Sequence, residues 1–287
     1  MLEWMEALKK AIRYIEDQMF HNFTIEDVAK HVNISPFYFQ KAFKIMTGYS
    51  VGEYVRKRRL YLAAIDAVKG EDKIIELAYK YGYDTPESFT KAFSRFHGIS
   101  PLQIKGQPKK IKTFQPLQIS ISIKGGSQLD YRLEKMEEFW VVGIEKIFSY
   151  ERAFEQIPVY WAQYCSKYQR EYDKEMKNAC IGMYGISIAE DRVGTDFRYL
   201  IAGNDCVDQI PEGLIRVKIP ALTWAKFRCV GSMPEALQAV NTKIYNEWMV
   251  GNSEYEIAAG YNIEWYSNGD IKNRDYVCEI WIPVTKK

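Results

Sequence analysis

Glu264, Tyr266, Glu279 and Trp281 could together bind a positively charged organic molecule. Apolar and polar residues alternate around each of these two pairs, so both segments are predicted to be strands. Glu264 and Tyr266 then share one face of the first strand, and Glu279 and Trp281 share one face of the second. If helices cover the opposite side, the free face carries two carboxylates and several aromatic rings. Such a surface attracts cations through charge pairing and cation–π contacts.

Two other functions fit the same residues. Glu264 with Tyr266 or another tyrosine could supply general acid–base catalysis to a small-molecule hydrolase. Alternatively, this part of the chain could bind another protein and no small molecule. The sequence has no Ser-His-Asp set, metal-binding cluster or phosphate-binding loop. We therefore expect a binding protein rather than an enzyme, with no cofactor and no metal.

Two predicted helices in the first hundred residues, 35–47 and 85–97, carry side chains that can bind DNA. In the first helix, Gln40 can bond an adenine edge and Phe37 can contact a thymine methyl group. In the second helix, Glu87 can accept a hydrogen bond from a cytosine amine. The predicted DNA contacts are Phe37, Gln40, Lys41, Lys44, Glu87, Ser88, Thr90, Lys91 and Arg95.

The two helices belong to an internal repeat. Residues 35–50 align with residues 85–100, and 7 of the 16 aligned positions are identical. A hydroxyl residue followed by proline starts each copy and a glycine comes near its end, which are common start and stop signals of a helix. The repeat therefore predicts one helix-turn-helix motif used twice. The residues predicted to face its cores are Phe39, Phe43, Phe89 and Phe93.

The spacing of the two motifs suits a single DNA duplex. The connecting helix predicted for residues 51–68 is roughly 27 Å long, and successive major-groove faces lie about 34 Å apart. One chain could then enter two adjacent grooves without dimerising. Residues 1–110 hold 18 Lys and Arg against 13 Asp and Glu, a net +5, whereas the remainder holds 21 against 24, a net −3. An excess of positive charge is typical of a phosphate-binding domain.

Nothing in the sequence indicates export or membrane insertion. The first residues lack the basic-then-apolar layout of a signal peptide, and no run of about 18 apolar residues occurs. The five cysteines show no spacing typical of a zinc site or a disulfide framework. We therefore expect a cytoplasmic protein that spans no membrane.

A segment rich in Gly, Pro and Lys at 105–110 interrupts the periodic pattern and predicts a linker. Strands are predicted at 117–123, 139–144, 182–188 and 262–266, and helices at about 152–176 and 233–249. From residue 139 the order is strand, helix, strand, strand, and it occurs twice. We expect a multidomain chain with an all-α DNA-binding domain at 1–106 and a linker at 107–114. An α+β domain at 115–287, built from two β-α-β-β halves, follows.

Three stretches of the first domain carry a family signature: VAKHVNISPFYFQKAFKIMTG, YVRKRRL and LAYKYGYDTPESFTKAFSRFHGISP. On these stretches, residues 4–106 resemble the AraC/XylS family of transcription activators. The resemblance implies a bipartite DNA site read by two recognition helices, promoter activation and contact with RNA polymerase. The family's base contacts fall on Phe37, Gln40, Lys41, Glu87, Ser88, Thr90 and Lys91.

The second domain contains MEEFWVVGIE, FRYLIAG, IPALTWAKFRCVG, IEWY and EIWIPV, in that order. On these stretches it resembles the GyrI-like effector-binding domains, and the order of the two domains resembles that of Rob-like regulators. The resemblance implies a pocket for a small organic effector, with its key acidic residue at Glu264. The pocket aromatics that it implies are Trp161, Tyr199, Trp224, Tyr266 and Trp281, although Trp161 and Trp224 suit core packing equally well.

These observations together predict a sequence-specific transcriptional regulator, an activator by resemblance. Its expected partners are double-stranded DNA, read in adjacent major grooves, RNA polymerase, and a cationic or amphipathic organic effector bound by the second domain.

Overall fold

The computed structural model describes residues 3–119, 129–169, 179–189, 196–206 and 208–287. Its first part is helical, and its second part is an antiparallel sheet with helices packed on one face. The helices of the first part are α1 (Glu3–Asp17), α2 (Ile25–His31), α3 (Pro36–Thr47), α4 (Val51–Lys69), α5 (Ile74–Lys80), α6 (Pro86–His97) and α7 (Pro101–Ile104). The expected multidomain class, an all-α part followed by an α+β part, is confirmed.

The repeated helices α3 and α6 begin and end as their sequences predict. Ser35 caps α3 and Thr85 caps α6, each accepting a hydrogen bond from the backbone amide three residues further on. Gly48 and Gly98 end the two helices at φ values of +78° and +77°, a left-handed conformation that glycine adopts without strain. The repeat in the sequence is therefore also a repeat in the structure.

Each helix-turn-helix unit has its own apolar core. Phe39 and Phe43 of α3 pack with α1 and α2 in the first core, and Phe89 and Phe93 of α6 pack in the second. All four rings are buried, which confirms the faces predicted for them. Helix α4 enters both cores, with Tyr54 in the first and the later turns of the helix in the second. It therefore fixes the position of one unit relative to the other.

The described residues of the second part form a nine-stranded sheet. Its strands are β1 (Tyr131–Met136), β2 (Phe139–Ser149), β3 (Tyr184–Ile188), β4 (Asp196–Asn204), β5 (Ile215–Ile219), β6 (Leu222–Val230), β7 (Tyr255–Ile257), β8 (Tyr261–Tyr266) and β9 (Val277–Lys286). They lie in the order β1-β6-β9-β8-β3-β4-β2-β5, and β7 pairs with β9. The helical elements are α8 (Ala153–Gln163) with a π-helical turn at Tyr164–Tyr168, and α9 (Glu235–Lys243) with a π-helical turn at Ile244–Trp248 and α10 (Met249–Gly251).

Two β-α-β-β halves make up this sheet, as predicted. The first is β2-α8-β3-β4 and the second is β6-α9-β8-β9. The halves meet where β3 pairs with β8, and there Gly185 lies directly opposite Glu264. Strands β1 and β5 are exchanged between the halves, because β1 pairs with β6 and β5 pairs with β2.

The two faces of the sheet are covered differently. Helices α8 and α9 pack on one of them, the helix-covered face, whose core includes Phe148, Tyr199 and Ile280. The core of the other face, the strand-lined face, includes Ile186, Trp224 and Trp281. The face on which a side chain lies therefore decides which of its neighbours it can meet.

The chain between the two parts differs from the predicted pattern. Residues 117–119 form no strand, and Leu117 and Ile119 instead pack against the core of the first helix-turn-helix unit. The rest of the strand predicted at 117–123 lies outside the described residues, as do residues 170–176 of the helix predicted at 152–176. Among the described residues, no helix is long and apolar enough to cross a membrane.

Candidate functional site

Four predicted effector-binding residues form a cluster on the helix-covered face. Glu264 and Tyr266 lie on β8, Tyr199 lies on β4, and Trp161 reaches them from α8. The Tyr266 hydroxyl donates to Oε2 of Glu264 at 2.8 Å, and Nε1 of Trp161 donates to the Tyr199 hydroxyl at 2.8 Å. The Trp161 ring meets the Tyr266 ring edge-on, with centroids 5.3 Å apart. A carboxylate is thus framed by three aromatic side chains, and we call this group the carboxylate cluster.

Gly185 on β3 forms the floor of the carboxylate cluster. A Cβ atom at this position would lie 2.4 Å from the Tyr199 hydroxyl, and 3.3 Å from both Oε2 of Glu264 and Cζ2 of Trp161. Real Cβ contacts are not as short as 2.4 Å, so the cluster can pack this closely only over a residue without a side chain. Gly185 is therefore part of the site, although sequence analysis did not single it out.

The phenols of the cluster are suited to donate hydrogen bonds. Burial raises the pKa of Tyr199 well above its usual value, and the carboxylate of Glu264 raises that pKa further. The same two causes raise the pKa of Tyr266. Both hydroxyls therefore keep their protons at neutral pH and can donate to an acceptor such as the carboxylate. The carboxylate of Glu264 lies between aromatic rings, and this arrangement favours the binding of an organic cation.

The predicted grouping of Glu264 and Tyr266 with Glu279 and Trp281 is wrong. In the antiparallel pairing of β8 with β9, Glu264 lies opposite Ile280, and Ile263 lies opposite Trp281. Residues directly opposite each other point to the same face of a sheet. Trp281 and Glu279 therefore lie on the strand-lined face, away from Glu264. The alternation of residues predicted correctly which side chains of one strand share a face. It contains no information about the register in which β8 pairs with β9.

Trp224 and Trp281 form part of the core of the strand-lined face and do not join the carboxylate cluster. Trp224 is fully buried, and its ring centroid lies 6.3 Å from that of Trp281. Nε1 of Trp281 donates to Glu279 at 2.7 Å, and the ammonium of Lys226 lies 3.8 Å from the centre of the Trp281 ring. Arg132 pairs with Glu279 at 2.7 Å. The polar groups of Lys226, Trp281, Glu279 and Arg132 are thus engaged with one another, whereas Nε1 of Trp224 is buried without a hydrogen-bond partner among the described residues.

The second predicted DNA-reading helix, α6, presents its predicted contacts to solvent. Glu87, Ser88, Lys91 and Arg95 are exposed, and Thr90 is half-buried. The side chains occupy the first turns of the helix, as in recognition helices that enter a major groove. These side chains are therefore accessible to solvent in this arrangement of the chain.

The first predicted DNA-reading helix, α3, lies against the sheet domain instead. Phe37 and Gln40 are buried, at 4% and 8% exposure. The Lys41 ammonium donates to Oδ1 of Asn262 on β8 at 2.6 Å. Lys44 is also engaged, in an ion pair with Glu53 of α4 at 2.9 Å. Phe37 and Lys41 are therefore covered by the sheet domain, whereas Lys44 is paired within the helical part.

Asn262 is a second position that sequence analysis did not select. It is 1% exposed, accepts from Lys41, and donates from Nδ2 to the Trp281 carbonyl at 3.3 Å. The sequence did indicate that Asn262 lies near the carboxylate cluster, because it precedes Glu264 by two residues and so shares its face of β8. An amide at a buried strand position is uncommon unless it is hydrogen-bonded.

Comparison with known proteins identifies both parts of the chain. Residues 132–284 match the family described as integron-associated effector binding protein (Cass2), and residues 28–107 match the helix-turn-helix domain family HTH_18. The regulatory protein SoxS of Escherichia coli (strain K12) is 32% identical over 96 residues, which cover 33% of this chain and 90% of SoxS. The HTH-type transcriptional activator AarP of Providencia stuartii is 31% identical over 94 residues, which cover 33% of this chain and 70% of AarP. The chain belongs to the AraC family of transcriptional regulators and carries an effector-binding domain of the Cass2 family.

Solved structures resemble part of this regulator in fold. The structure of SAV2435 bound to tetraphenylphosphonium covers 55% of the regulator and 94% of that chain, at 21% identity and a TM-score of 0.47. The integron cassette protein VCH_CASS2 of Vibrio cholerae covers 54% of the regulator and 95% of that chain, at 15% identity and a TM-score of 0.43.

Proposed function

We propose that the regulator binds a bulky organic cation at the carboxylate cluster and that this binding controls how it acts on DNA. The observation that carries the proposal is the carboxylate of Glu264 framed by Tyr266, Tyr199 and Trp161. A cation seated there gains a charge pair and aromatic faces at once. Both contributions grow when water is excluded.

The DNA-binding half is proposed to read a bipartite site in adjacent major grooves. Helix α6 supplies Glu87, Ser88, Thr90 and Lys91, and α3 supplies Phe37, Gln40 and Lys41 once it is uncovered. Contact with RNA polymerase would follow from this placement on promoter DNA. Arg95 and Lys91, both exposed, add positive charge near the phosphates.

Binding fits the cluster better than hydrolysis. A tyrosine acting as a general base must lose its proton, but burial and the nearby carboxylate raise the pKa of both Tyr199 and Tyr266. A base works best with a pKa near the working pH. Neither tyrosine therefore suits the role of general base, and we propose that the effector leaves the site chemically unchanged.

The test is binding of tetraphenylphosphonium, a bulky aromatic cation, to the full chain by calorimetry. Glu264→Gln keeps the shape of the side chain and removes its charge, and we expect it to weaken binding at least tenfold, a loss of about 1.4 kcal/mol or more. Glu256→Gln, at an exposed position of β7, is the control and should bind like the wild type. Neutral triphenylphosphine oxide should bind more weakly than the cation.

Two results would contradict the proposal. Equal affinity of the Glu264→Gln variant and the wild type would remove the carboxylate from the site. Conversion of the bound compound, detected by mass spectrometry after incubation, would favour the hydrolase.

A further inference from the structure

Helix α3 packs on the face of the sheet that carries the carboxylate cluster. Phe37 lies in the same core as Tyr199 and Phe148. Its ring centroid is 5.6 Å from that of Phe197 on β4 and 5.9 Å from that of Tyr150, which follows β2. These contacts place the first turn of a DNA-reading helix in the core of the effector-binding domain.

Polar contacts hold α3 in this position. Tyr38 is fully buried, and its hydroxyl donates to the backbone carbonyl of Tyr261 on β8. Three residues further along α3, Lys41 donates to Asn262. At the edge of the interface, Arg56 of α4 pairs with Glu151 at 3.1 Å, but both side chains are more than half exposed. The contacts at Tyr38 and Lys41 are therefore the ones that register α3 on β8.

Lys41 brings a cation of the chain itself to the carboxylate cluster. Its partner Asn262 shares a face of β8 with Glu264, two residues away. Burial lowers the pKa of Lys41, and attraction to the carboxylate of Glu264 opposes that effect. The Lys41 ammonium, which lies 6.0 Å from the centre of the Phe37 ring, thus approaches the cluster much as the head of an organic cation would.

The internal repeat shows that this packing is specific to α3. At the positions of α6 that correspond to Phe37 and Tyr38, the chain has Glu87 and Ser88, and both are exposed. Lys91, which corresponds to Lys41, is exposed as well. The two copies share their cores and caps but differ in the outward residues, and only in α3 are those residues aromatic and covered by the sheet domain.

The interface between α3 and the sheet domain is also imperfect. Among the described residues, Nε2 of Gln40, Oδ1 of Asn241 and the hydroxyl of Tyr245 are buried without a hydrogen-bond partner. Buried polar groups without partners oppose the packing that buries them. Opening restores their hydration, so the closed arrangement is one that a competing ligand can reverse.

We propose that α3 is an internal competitor for the effector site. In the closed chain, Lys41 and the Phe37 ring beside it occupy the approach to Glu264, and α3 is withheld from DNA while α6 stays exposed. A cationic effector takes the place of the Lys41 ammonium, releases α3, and so allows both helices to enter the duplex. Effector and DNA then favour the same open state, and each must strengthen the binding of the other. This inference rests on the proposed function of the carboxylate cluster.

The first test compares Lys41 with Lys91 in the wild-type full chain by brief acetylation and mass spectrometry. Without ligand, Lys41 should react at least tenfold more slowly than its repeat partner Lys91. Saturating tetraphenylphosphonium should raise the rate at Lys41 and leave the rate at Lys91 unchanged. Equal rates without ligand, or a Lys41 that stays protected while the cation is bound, would overturn the inference.

The second test gives α3 the outward residues of α6. The double variant Phe37→Glu and Tyr38→Ser should no longer close, and tetraphenylphosphonium should bind it at least tenfold more tightly than the wild type, because no competitor remains. The matched control is Ile75→Glu and Tyr79→Ser on α5, where the side chains are 46% and 59% exposed and the affinity should not change. If tetraphenylphosphonium binds the wild type and the α3 variant with the same measurable affinity, the inference is overturned and the proposed function still stands. Failure of the cation to bind either protein overturns both.

Discussion

Substituting Gly185 with alanine tests the architecture of the carboxylate cluster. The added methyl group would lie 2.4 Å from the Tyr199 hydroxyl. That hydroxyl must retreat by about 1 Å to reach an ordinary contact distance, but Tyr199 is only 2% exposed and is held by Trp161. Overpacking of this kind costs about 1–3 kcal/mol. Loss of the bond between Trp161 and Tyr199 adds about 1 kcal/mol. We therefore expect Gly185→Ala to lower the free energy of unfolding by about 2–4 kcal/mol.

The measurement is urea denaturation followed by tryptophan fluorescence, since six of the seven tryptophans lie between residues 140 and 281. Gly251→Ala is the control, because no atom lies within 4 Å of a Cβ built at that position. It should change the free energy of unfolding by no more than about 0.5 kcal/mol. The same two variants are then compared in binding tetraphenylphosphonium, which only Gly185→Ala should weaken.

A double-mutant cycle with Tyr199→Phe identifies the atom responsible. Removing the hydroxyl removes the clash, so in the Tyr199→Phe background the alanine should cost at least about 1 kcal/mol less than in the wild type. Additive effects of the two substitutions would refute the reasoning, because they would mean that the added methyl group does not press on the Tyr199 hydroxyl.

Three further predictions concern the DNA-binding half. Burial lowers the pKa of His97 below its usual value of 6.5, so the unfolded chain takes up this proton first as the pH falls. The contribution of His97 to the free energy of unfolding is therefore complete above about pH 6.5 and declines below it. The urea midpoint should consequently change less between pH 7.5 and pH 5.5 in the His97→Gln variant than in the wild type. Thr85→Ala removes the cap of α6 and should lower the free energy of unfolding by about 1 kcal/mol, measured in the same way. Lys91→Met should weaken DNA binding in a gel-shift assay and reduce the slope of affinity against salt by about 1 if this lysine contacts phosphate; an unchanged slope would remove it from the phosphate contacts.

In the helical part, the features that depend only on residues close together in the sequence were predictable. The caps at Ser35 and Thr85 and the ends at Gly48 and Gly98 follow from conformational preferences of single residues. The buried faces of α3 and α6 follow from spacing along each helix. The order of the two β-α-β-β halves was also predictable, because alternation marks each strand separately.

The pairing of strands was not predictable in the same way. Trp281 was expected beside Glu264, but the register of β8 on β9 places it on the other face. A shift of one residue exchanges the two faces of a strand, and this shift is decided by contacts far apart in the sequence. Gly185 was missed for a related reason, since only the pairing of β3 with β8 brings it under the carboxylate.

The sequence contained a signal that α3 would be covered, and comparison of the two repeats reveals it. Phe37 and Tyr38 stand where the second copy has Glu87 and Ser88. Two aromatic residues on the outward side of a helix exceed what its own core needs, and such an excess indicates a further contact surface. The excess does not say which surface is contacted, because that depends on the tertiary arrangement.

The position of Gly185 also limits which substitutions the carboxylate cluster can tolerate. The seam between the two halves and the floor of the carboxylate cluster are the same residue pair, Gly185 opposite Glu264. A side chain added there would disturb the joint of the fold as well as the carboxylate cluster above it. We therefore expect substitutions that change the selectivity of the proposed effector site to be tolerated mainly above this floor, at Trp161 and other residues of the covering helices.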